Sequence, residues 1–460
     1  MKRSKLRLIA VVATAASALV LGSIGTAGAA GPAGTNGQSE TLYNAGSDTT
    51  YNAMTLIGNL YNGSPGCKID ASNPAVDAFT QCLASDPAGT VTTENYDHDI
   101  ITPWYPQGSG AGIRQLTKQG QGGIPQVDFA RSSRDKQPSD AKGLRFVGFA
   151  KDGISPIDWR TVASNGGQGS PSAGCKLGEA AGSCTGTSVN NLTTAQIVDI
   201  FINCNIRDWR QLNTPGFLIS NTVGAPTDPK DYKYNDPGNL PIYTWFIQSN
   251  SGTGLTWQNY LTGVGGSSPG ACPSNNAADV AFASQTAYDT TSERTLFEND
   301  GQQIPNINDI NGRNIRSESI WAASFGRWLT ALNERAGSSL VKVNAVQAGP
   351  GTIGNSSFPI TRILWNVIPT TAADQTTPPP GDAVPPGAPP LGANLKGSTK
   401  AFVNWLCAPS ASHGTNPFNN RNYFDEITSA VSQSGFVRGT GTQASPPGDG
   451  ICYNQYTLNV

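Results

Sequence analysis

The sequence predicts an α/β protein. In the first third of the chain, apolar strand-like segments are each followed by a loop of small residues and then by a helix-like segment. That order is typical of an α/β sheet with a binding site at the carboxyl ends of its strands. The chain has 460 residues, more than one small domain usually holds, so we expect two or three domains or two interwoven lobes.

The first 30 residues predict a secretory signal peptide. A basic segment, Met1–Arg7, precedes an apolar segment, Leu8–Leu21, and Ala27-Gly28-Ala29 fits a small-residue cleavage site. We therefore expect cleavage near Ala29-Ala30 and a secreted or cell-wall-associated mature chain. No cysteine lies near this site, which argues against a lipid anchor, and no later run has the ~18 apolar residues of a membrane span.

Composition narrows the class of partner. Charged residues make up 13% of the chain and the net charge is −2, which argues against nucleic acid or an anionic membrane as partner because both attract basic clusters. A small ligand held by neutral hydrogen-bond donors fits better. We expect a monomer with no cofactor and no metal.

The cysteines predict disulfides. Their number, 8, is even, an exported chain permits oxidation, and no C-x-x-C motif suggests zinc or redox chemistry. Sequence leaves several connectivities open. Nested local pairing would join Cys67 to Cys82, Cys175 to Cys184, Cys204 to Cys272, and Cys407 to Cys452.

The elements follow in order along the chain. After a polar linker over 31–40, apolar runs predict strands at Thr41–Ala45, Val127–Ala130 and Arg145–Ala150, and apolar periodicity predicts helices over Tyr51–Tyr61, from Ile113, and over Thr193–Phe201. Ser319–Leu332 predicts a strand edge and helix, and Thr399–Leu406 and Tyr423–Val431 predict late helices. Residues 166–188 form a Gly/Ser-rich insertion, and residues 374–391 are too rich in proline for a regular element.

Four small-residue loops carry hydroxyl groups. The clearest, Ser249–Gly254, lies between a predicted strand in the apolar run Tyr243–Gln248 and a helix-like segment, Leu255–Leu261. Backbone N–H groups, the positive end of a helix and hydroxyls can together saturate a tetrahedral oxyanion without a metal. An ordinary cap or turn is the plain alternative for each loop. The candidate binding residues are Ser47, Asp48, Thr49 and Thr50; Ser109 and Gly110; Arg131, Ser132 and Ser133; and Ser249, Ser251, Gly252 and Thr253.

The order of these motifs resembles the phosphate-binding proteins of ABC transporters. The similar segments are Gly46–Tyr51, Gly108–Leu116, Val127–Ser133, Leu192–Leu212 with its Asp208-Trp209, Ser251–Thr253, Phe358–Arg362 and Phe402–Leu406, and the likeness spans residues 41–431. The resemblance implies a type II periplasmic-binding-protein fold: two lobes, two inter-lobe crossovers near Ala150 and Pro359, and no catalysis. It assigns 41–150 and 358–460 to lobe one and 151–357 to lobe two. It also implies phosphate as the ligand and an ABC permease as a partner.

The chain departs from that family at three positions. Asp48 stands where the family has threonine, Ser133 where it has an aspartate that accepts a hydrogen bond from protonated phosphate, and Ile247 where it has an arginine. If the changes compensate, Asp48 accepts that hydrogen bond and Arg131 supplies the cation; otherwise the ligand is a different anion or the site is degenerate. Asp135, two residues after Ser133, is a second candidate acceptor, and simple helix capping by Asp48 is the alternative.

Two other functions stay open on sequence grounds. A carbohydrate-binding or adhesive protein would use the aromatic residues Trp104, Tyr105, Trp245 and Trp257. A secreted hydrolase has only His98 and His413 to draw on, and Ser109 lacks the G-x-S-x-G motif. His98 also lies in Asp97-His98-Asp99, which is as readily a solvated loop as a metal site.

Overall fold

A computed structural model provides the fold. It describes residues 41–63, 92–95, 108–117, 127, 129–141, 143–160, 169–176, 179–180, 183–219, 232, 236, 238–248, 251–266, 295–296, 301, 304–309, 312–332, 337–369, 402–403, 405–407, 410, 415–416, 419–438 and 452–457. The predicted signal peptide, linker and proline-rich insertion lie outside these residues, as do Ser249, Trp104, Tyr105 and both histidines. Among the described residues, no helix is long and apolar enough to cross a membrane.

The strands number fourteen in this described part. They are β1 Thr41–Gly46, β2 Thr92–Asn95, β3 Phe129–Ser132, β4 Leu144–Trp159, β5 Asn191–Leu192, β6 Tyr243–Thr244, β7 Phe246–Ile247, β8 Thr295–Leu296, β9 Ser319–Ser324, β10 Ser338–Leu340, β11 Lys342–Val343, β12 Thr361–Pro369, β13 Val437–Arg438 and β14 Tyr453–Thr457.

The helices of the same part connect these strands. They are α1 Tyr51–Gly63, α2 Gly108–Leu116, α3 Thr194–Val198, α4 Arg210–Asn213, α5 Gly252–Gly265, α6 Phe325–Arg327, α7 Pro350–Gly354 and α8 Tyr423–Gln433. Short 3-10 turns cover Asp48–Thr50, Pro171–Ala173 and Arg316–Glu318, and π-helical turns extend α3 over Asp199–Asn203 and α6 over Trp328–Leu332.

One long strand, β4, runs through both halves of the molecule. Its first part pairs antiparallel with β12 as far as Gly153, and its second part pairs antiparallel with β9 from Ile154 onward. The sheet order is β2-β1-β3-β12-β4-β9-β6, with β1, β2 and β3 parallel. The chain thus leaves the first half along β4 and returns to it along β12.

Two sets of buried apolar side chains lie on either side of this passage. The first joins α1 and β3 to the late helices and includes Ile57, Phe129, Phe402 and Ile427. The second joins the middle of the chain, from Ile154 to Ile360, around α3, α5 and β9. The predicted two-lobed α/β fold with two crossovers is confirmed. The domain limits derived from sequence stay a prediction.

The local elements agree with the sequence in type more closely than in their limits. Thr193 caps α3, and its side chain and that of Gln196 form the reciprocal bonds of a capping box. By contrast, α2 begins at Gly108, five residues before the expected Ile113, so the second loop is itself the first turn of a helix. Gly112 explains this position, because a Cβ there would lie 2.4 Å from the Ala45 carbonyl oxygen and only glycine lets α2 pack so closely on β1.

Two further differences concern strands. β3 continues through Arg131 and Ser132, which were expected in a loop, because both are buried and paired between β1 and β12. β4 runs to Trp159, well beyond the expected end at Ala150, because partners on both lobes continue its ladder.

Disulfides close two of the predicted loops. Cys175 is bonded to Cys184 and Cys407 to Cys452, as local pairing predicts. Cys204 is disulfide-bonded as well. Its predicted partner Cys272 lies outside the described residues, as do Cys67 and Cys82.

Candidate functional site

Three serines from three separate loops meet at the junction of the lobes. The Ser47 Oγ donates to the Ser133 Oγ at 2.8 Å, and the Ser109 Oγ lies 3.3 Å from the same oxygen. The Ser133 backbone N–H also donates to the Ser109 Oγ at 2.9 Å. All three residues are fully buried. We call Ser47, Thr49, Ser109, Ser133, Gly252 and Thr253 the hydroxyl cluster.

Lobe two completes this cluster through the start of α5. The Thr253 Oγ1 lies 3.2 Å from the Thr49 Oγ1, so a hydroxyl pair bridges the two lobes. Gly252 fits directly against the serines, since a Cβ there would lie 2.4 Å from the Ser133 Oγ and 2.7 Å from the Ser109 Oγ. The first turns of α2 and α5 therefore both end at the cluster, which brings two positive helix ends to the hydroxyls.

Four candidate residues make local contacts instead. The Ser251 hydroxyl caps α5 by accepting from the N–H groups of Thr253 and Gly254. The Thr50 hydroxyl donates to the Ser47 carbonyl, and the Ser132 hydroxyl donates to the Arg134 carbonyl. Gly110 lies within the first turn of α2. These contacts shape the loops around the cluster.

The two charged candidates have partners within the protein. The Arg131 Nη1 donates to the Ser47 carbonyl at 2.7 Å, and its guanidinium lies 5.2 Å from the centre of the Tyr51 ring. The Asp48 carboxylate forms an ion pair with the Arg327 Nε at 3.8 Å. Asp48 lies in the turn that follows β1, and Arg327 lies in α6, so this ion pair also spans the two lobes.

Asp135 lies in the loop that follows β3, two residues after Ser133. Its carboxylate accepts a hydrogen bond from the Trp365 Nε1 at 3.2 Å. Burial raises the pKa of Asp135, an effect that this hydrogen bond and the nearby arginines oppose. No described contact joins its side chain to the hydroxyl cluster.

Sequence reasoning missed a second arginine that reaches the cluster. Arg362 of β12 donates from Nη1 to the Ser133 carbonyl at 3.0 Å and from Nη2 to the Thr49 Oγ1 at 3.2 Å. Its guanidinium also forms a buried ion pair with Asp152 of β4 at 2.7 Å. The sequence did contain one signal for this pair. Arg362 and Asp152 each lie within an apolar strand, and buried charges need partners. The spacing of 210 residues gave no indication that they pair.

This arrangement can bind an anion without chemistry of its own. Hydroxyl groups rotate and either donate or accept, so the same side chains that bond one another can donate to a tetrahedral oxyanion. The cluster adds backbone N–H groups at helix starts and one arginine, and within the described residues it contains neither a histidine nor a cysteine.

Comparison with known proteins gave structural similarities only. No protein-family model matches the chain. No curated protein matches it either.

Three solved structures illustrate the similarity. A Clostridium perfringens protein solved with bound phosphate, and assigned as a phosphate ABC transporter substrate-binding protein, is 15% identical with a TM-score of 0.43, over 86% of this chain and 99% of its own. An ABC-type phosphate transport receptor from Vibrio cholerae is 15% identical with a TM-score of 0.41, over 86% and 99%. PstS from Borrelia burgdorferi is 15% identical with a TM-score of 0.36, over 87% and 99%. The fold assignment rests on the strand order and the two cores described above.

Proposed function

We propose that this protein is an exported solute-binding protein that binds a small oxyanion, phosphate, in the cleft between its two lobes. The observation that carries the proposal is the hydroxyl cluster, in which Ser47, Ser109 and Ser133 of lobe one meet Gly252 and Thr253 of lobe two. Binding at such a junction would link ligand capture to lobe closure. No covalent step is required, and an ABC permease would be the partner that receives the ligand.

Neutral donors suit this ligand because the surrounding charges largely balance. Arg362 is paired with Asp152, and Arg327 with Asp48, so the cluster presents hydroxyls and N–H groups with little net charge. An anion then gains several short hydrogen bonds in a buried site, where each is stronger than in water.

The carbohydrate-binding alternative is not favoured by the aromatic residues that the structure describes. Trp245 is buried, and its Nε1 donates to the Ser319 Oγ at 2.8 Å. Trp257 is buried against Phe201, with ring centres 5.2 Å apart. They lie in two separate clusters of buried apolar side chains, so neither offers a ring face to a sugar.

Calorimetry on the mature protein tests the function. We expect saturable phosphate binding with a 1:1 stoichiometry and weaker sulfate binding, because a carboxylate near the site repels a fully ionised anion. Neutral sugars serve as the control ligands. Absence of phosphate heat at millimolar concentration would refute the proposal, and heat with a sugar alone would support the carbohydrate-binding alternative.

Replacing Asp48 by asparagine tests whether this residue reads the protonation state of the ligand. If Asp48 accepts a hydrogen bond from protonated phosphate, we expect the Asp48→Asn variant to lose about tenfold in phosphate affinity, roughly one charged hydrogen bond, and to bind sulfate more tightly because the repelling carboxylate is gone. The phosphate-to-sulfate ratio is the measured quantity. Equal weakening of both anions would show instead that Asp48 acts only through its ion pair with Arg327.

A further inference from the structure

The two strands that connect the lobes are joined by one buried ion pair. Arg362 of β12 stands opposite Asp152 of β4 in the antiparallel register. The Arg362 Nε and Nη2 donate to the same Asp152 oxygen at 3.0 and 2.7 Å, and the two side chains are 2% and 0% exposed. The other Asp152 oxygen accepts from the Gly326 N–H at the start of α6, at 3.4 Å. The pair therefore lies at the hinge.

The same arginine reaches two of the ligand loops. Its bonds to the Ser133 carbonyl and the Thr49 hydroxyl place the guanidinium immediately behind the hydroxyl cluster. Together with the two bonds to Asp152, they use four of the five N–H donors of an arginine side chain. Within the described part of the chain, one N–H, on Nη1, has no partner and is the donor that a ligand could use.

Arg131 is the competing cation, and its contacts differ in kind. It donates to the Ser47 carbonyl and lies over the Tyr51 ring. Arg362 contacts both the hinge, through Asp152, and two of the loops. Thr49, to which it donates, also contacts Thr253 of lobe two.

We propose that Arg362 is the cation of the oxyanion site and a specificity-determining residue. Asp152 holds the planar guanidinium group in place and opposes part of its charge. The inference rests on the proposed function, since it names the residue that gives the same site its preference for an anion. Electrostatic attraction then comes from the hinge strand, while the four loops supply neutral donors. Because Asp152 opposes part of the charge, the site would discriminate among anions chiefly through its hydrogen bonds.

Three variants and one control separate this role from a structural one. Arg362→Gln is expected to weaken phosphate binding about 10- to 100-fold, the range for a lost hydrogen bond to a charged group, and to flatten the dependence of affinity on salt. Arg362→Lys keeps the positive charge without the planar guanidinium group, so its affinity for phosphate should lie between those of wild type and Arg362→Gln. Asp152→Asn should bind phosphate equally or more tightly, because it removes a negative charge behind the site. Arg210→Gln, which breaks an arginine–aspartate pair in lobe two, should leave affinity unchanged.

The double variant Asp152→Asn, Arg362→Gln guards against misfolding, because it leaves neither charge buried alone. Calorimetry and thermal melts on all proteins are the measurements. If Arg362 is the site cation, the double variant folds but still binds phosphate more weakly than wild type; if the pair is only structural, its affinity returns to the wild-type value, which would overturn the inference. Unchanged affinity in Arg362→Gln would also overturn it. Wild-type protein that binds no phosphate would instead refute the proposed function together with the inference built on it.

Discussion

Replacing Gly252 by alanine is expected to weaken ligand binding about 5- to 150-fold, which corresponds to the ~1–3 kcal/mol typical of overpacking a buried contact. The added Cβ would lie 2.4 Å from the Ser133 Oγ and 2.7 Å from the Ser133 backbone carbonyl carbon. The Ser133 hydroxyl can rotate away from the added methyl group, but the Ser133 backbone cannot. The methyl group should therefore keep lobe two from closing on lobe one, while each lobe remains folded.

A second glycine of the same helix provides the control. Gly263 also lies in α5, and a Cβ there would meet no atom within 4 Å. Gly263→Ala should bind phosphate as the wild type does. Calorimetry measures the affinities, and small-angle scattering with and without phosphate measures closure. Wild-type affinity in Gly252→Ala would show that the cluster does not have to close around the ligand.

Replacing Glu318 by glutamine is expected to stabilise the protein at neutral pH. Glu318 ends the turn Arg316–Glu318 before β9 and is 1% exposed, and its nearest described cation is the Arg313 Nε at 3.6 Å. Arg313 is already bonded to Asp309 at 2.9 Å. Burial raises the pKa of Glu318 well above its usual value, with Asp309 and Asp208 adding to the increase and Arg313 opposing it.

The sign of the pH dependence follows from this raised pKa. Stability associated with Glu318 is fully present below the unfolded pKa of about 4.3 and is lost as pH rises toward the folded value, at up to ~1.4 kcal/mol per pH unit. Glutamine cannot ionise, so the advantage of Glu318→Gln should grow steadily as the pH is raised from about 4.5 to about 7.5, above the unfolded pKa. Burial raises the pKa of Asp158 to about 6, so the stability associated with Asp158 also falls as pH rises. This effect is the same in wild type and in Glu318→Gln.

Chemical denaturation of wild type and Glu318→Gln across that pH range measures the effect. Glu179 supplies a contrasting variant, because the Lys176 N–H and the Thr185 hydroxyl lower the pKa of this surface carboxyl. A lowered pKa contributes stability above the unfolded pKa that is lost as pH falls, so Glu179→Gln should show a small change of opposite sign. A difference between Glu318→Gln and wild type that does not vary with pH would contradict the assignment of a buried, hard-to-ionise carboxyl.

The sequence predicted what depends on neighbouring residues. The spacing of apolar residues and the small-residue loops indicated α/β units. The Thr193 cap could be predicted from Thr193 and Gln196 alone, since capping is a local hydrogen-bond pattern. The pairs Cys175–Cys184 and Cys407–Cys452 are likewise the nearest partners along the chain. The hydroxyl residues Ser47, Ser109 and Thr253 were candidates for the same reason: each lies in a small-residue loop just before a predicted helix.

Only the tertiary structure decided which charges face those hydroxyls. Arg362 meets Asp152 because β12 and β4 lie side by side in one register, and Asp48 meets Arg327 because the lobes approach each other. An ion pair between distant segments leaves no periodic trace in the sequence, since its energy depends on spatial separation and burial. The same reason explains why the sequence indicated Arg131, adjacent to Ser132 and Ser133 in the chain, and gave no indication of Arg362. Sequence specifies the donors at the loops, and packing decides which charged side chains lie beside them.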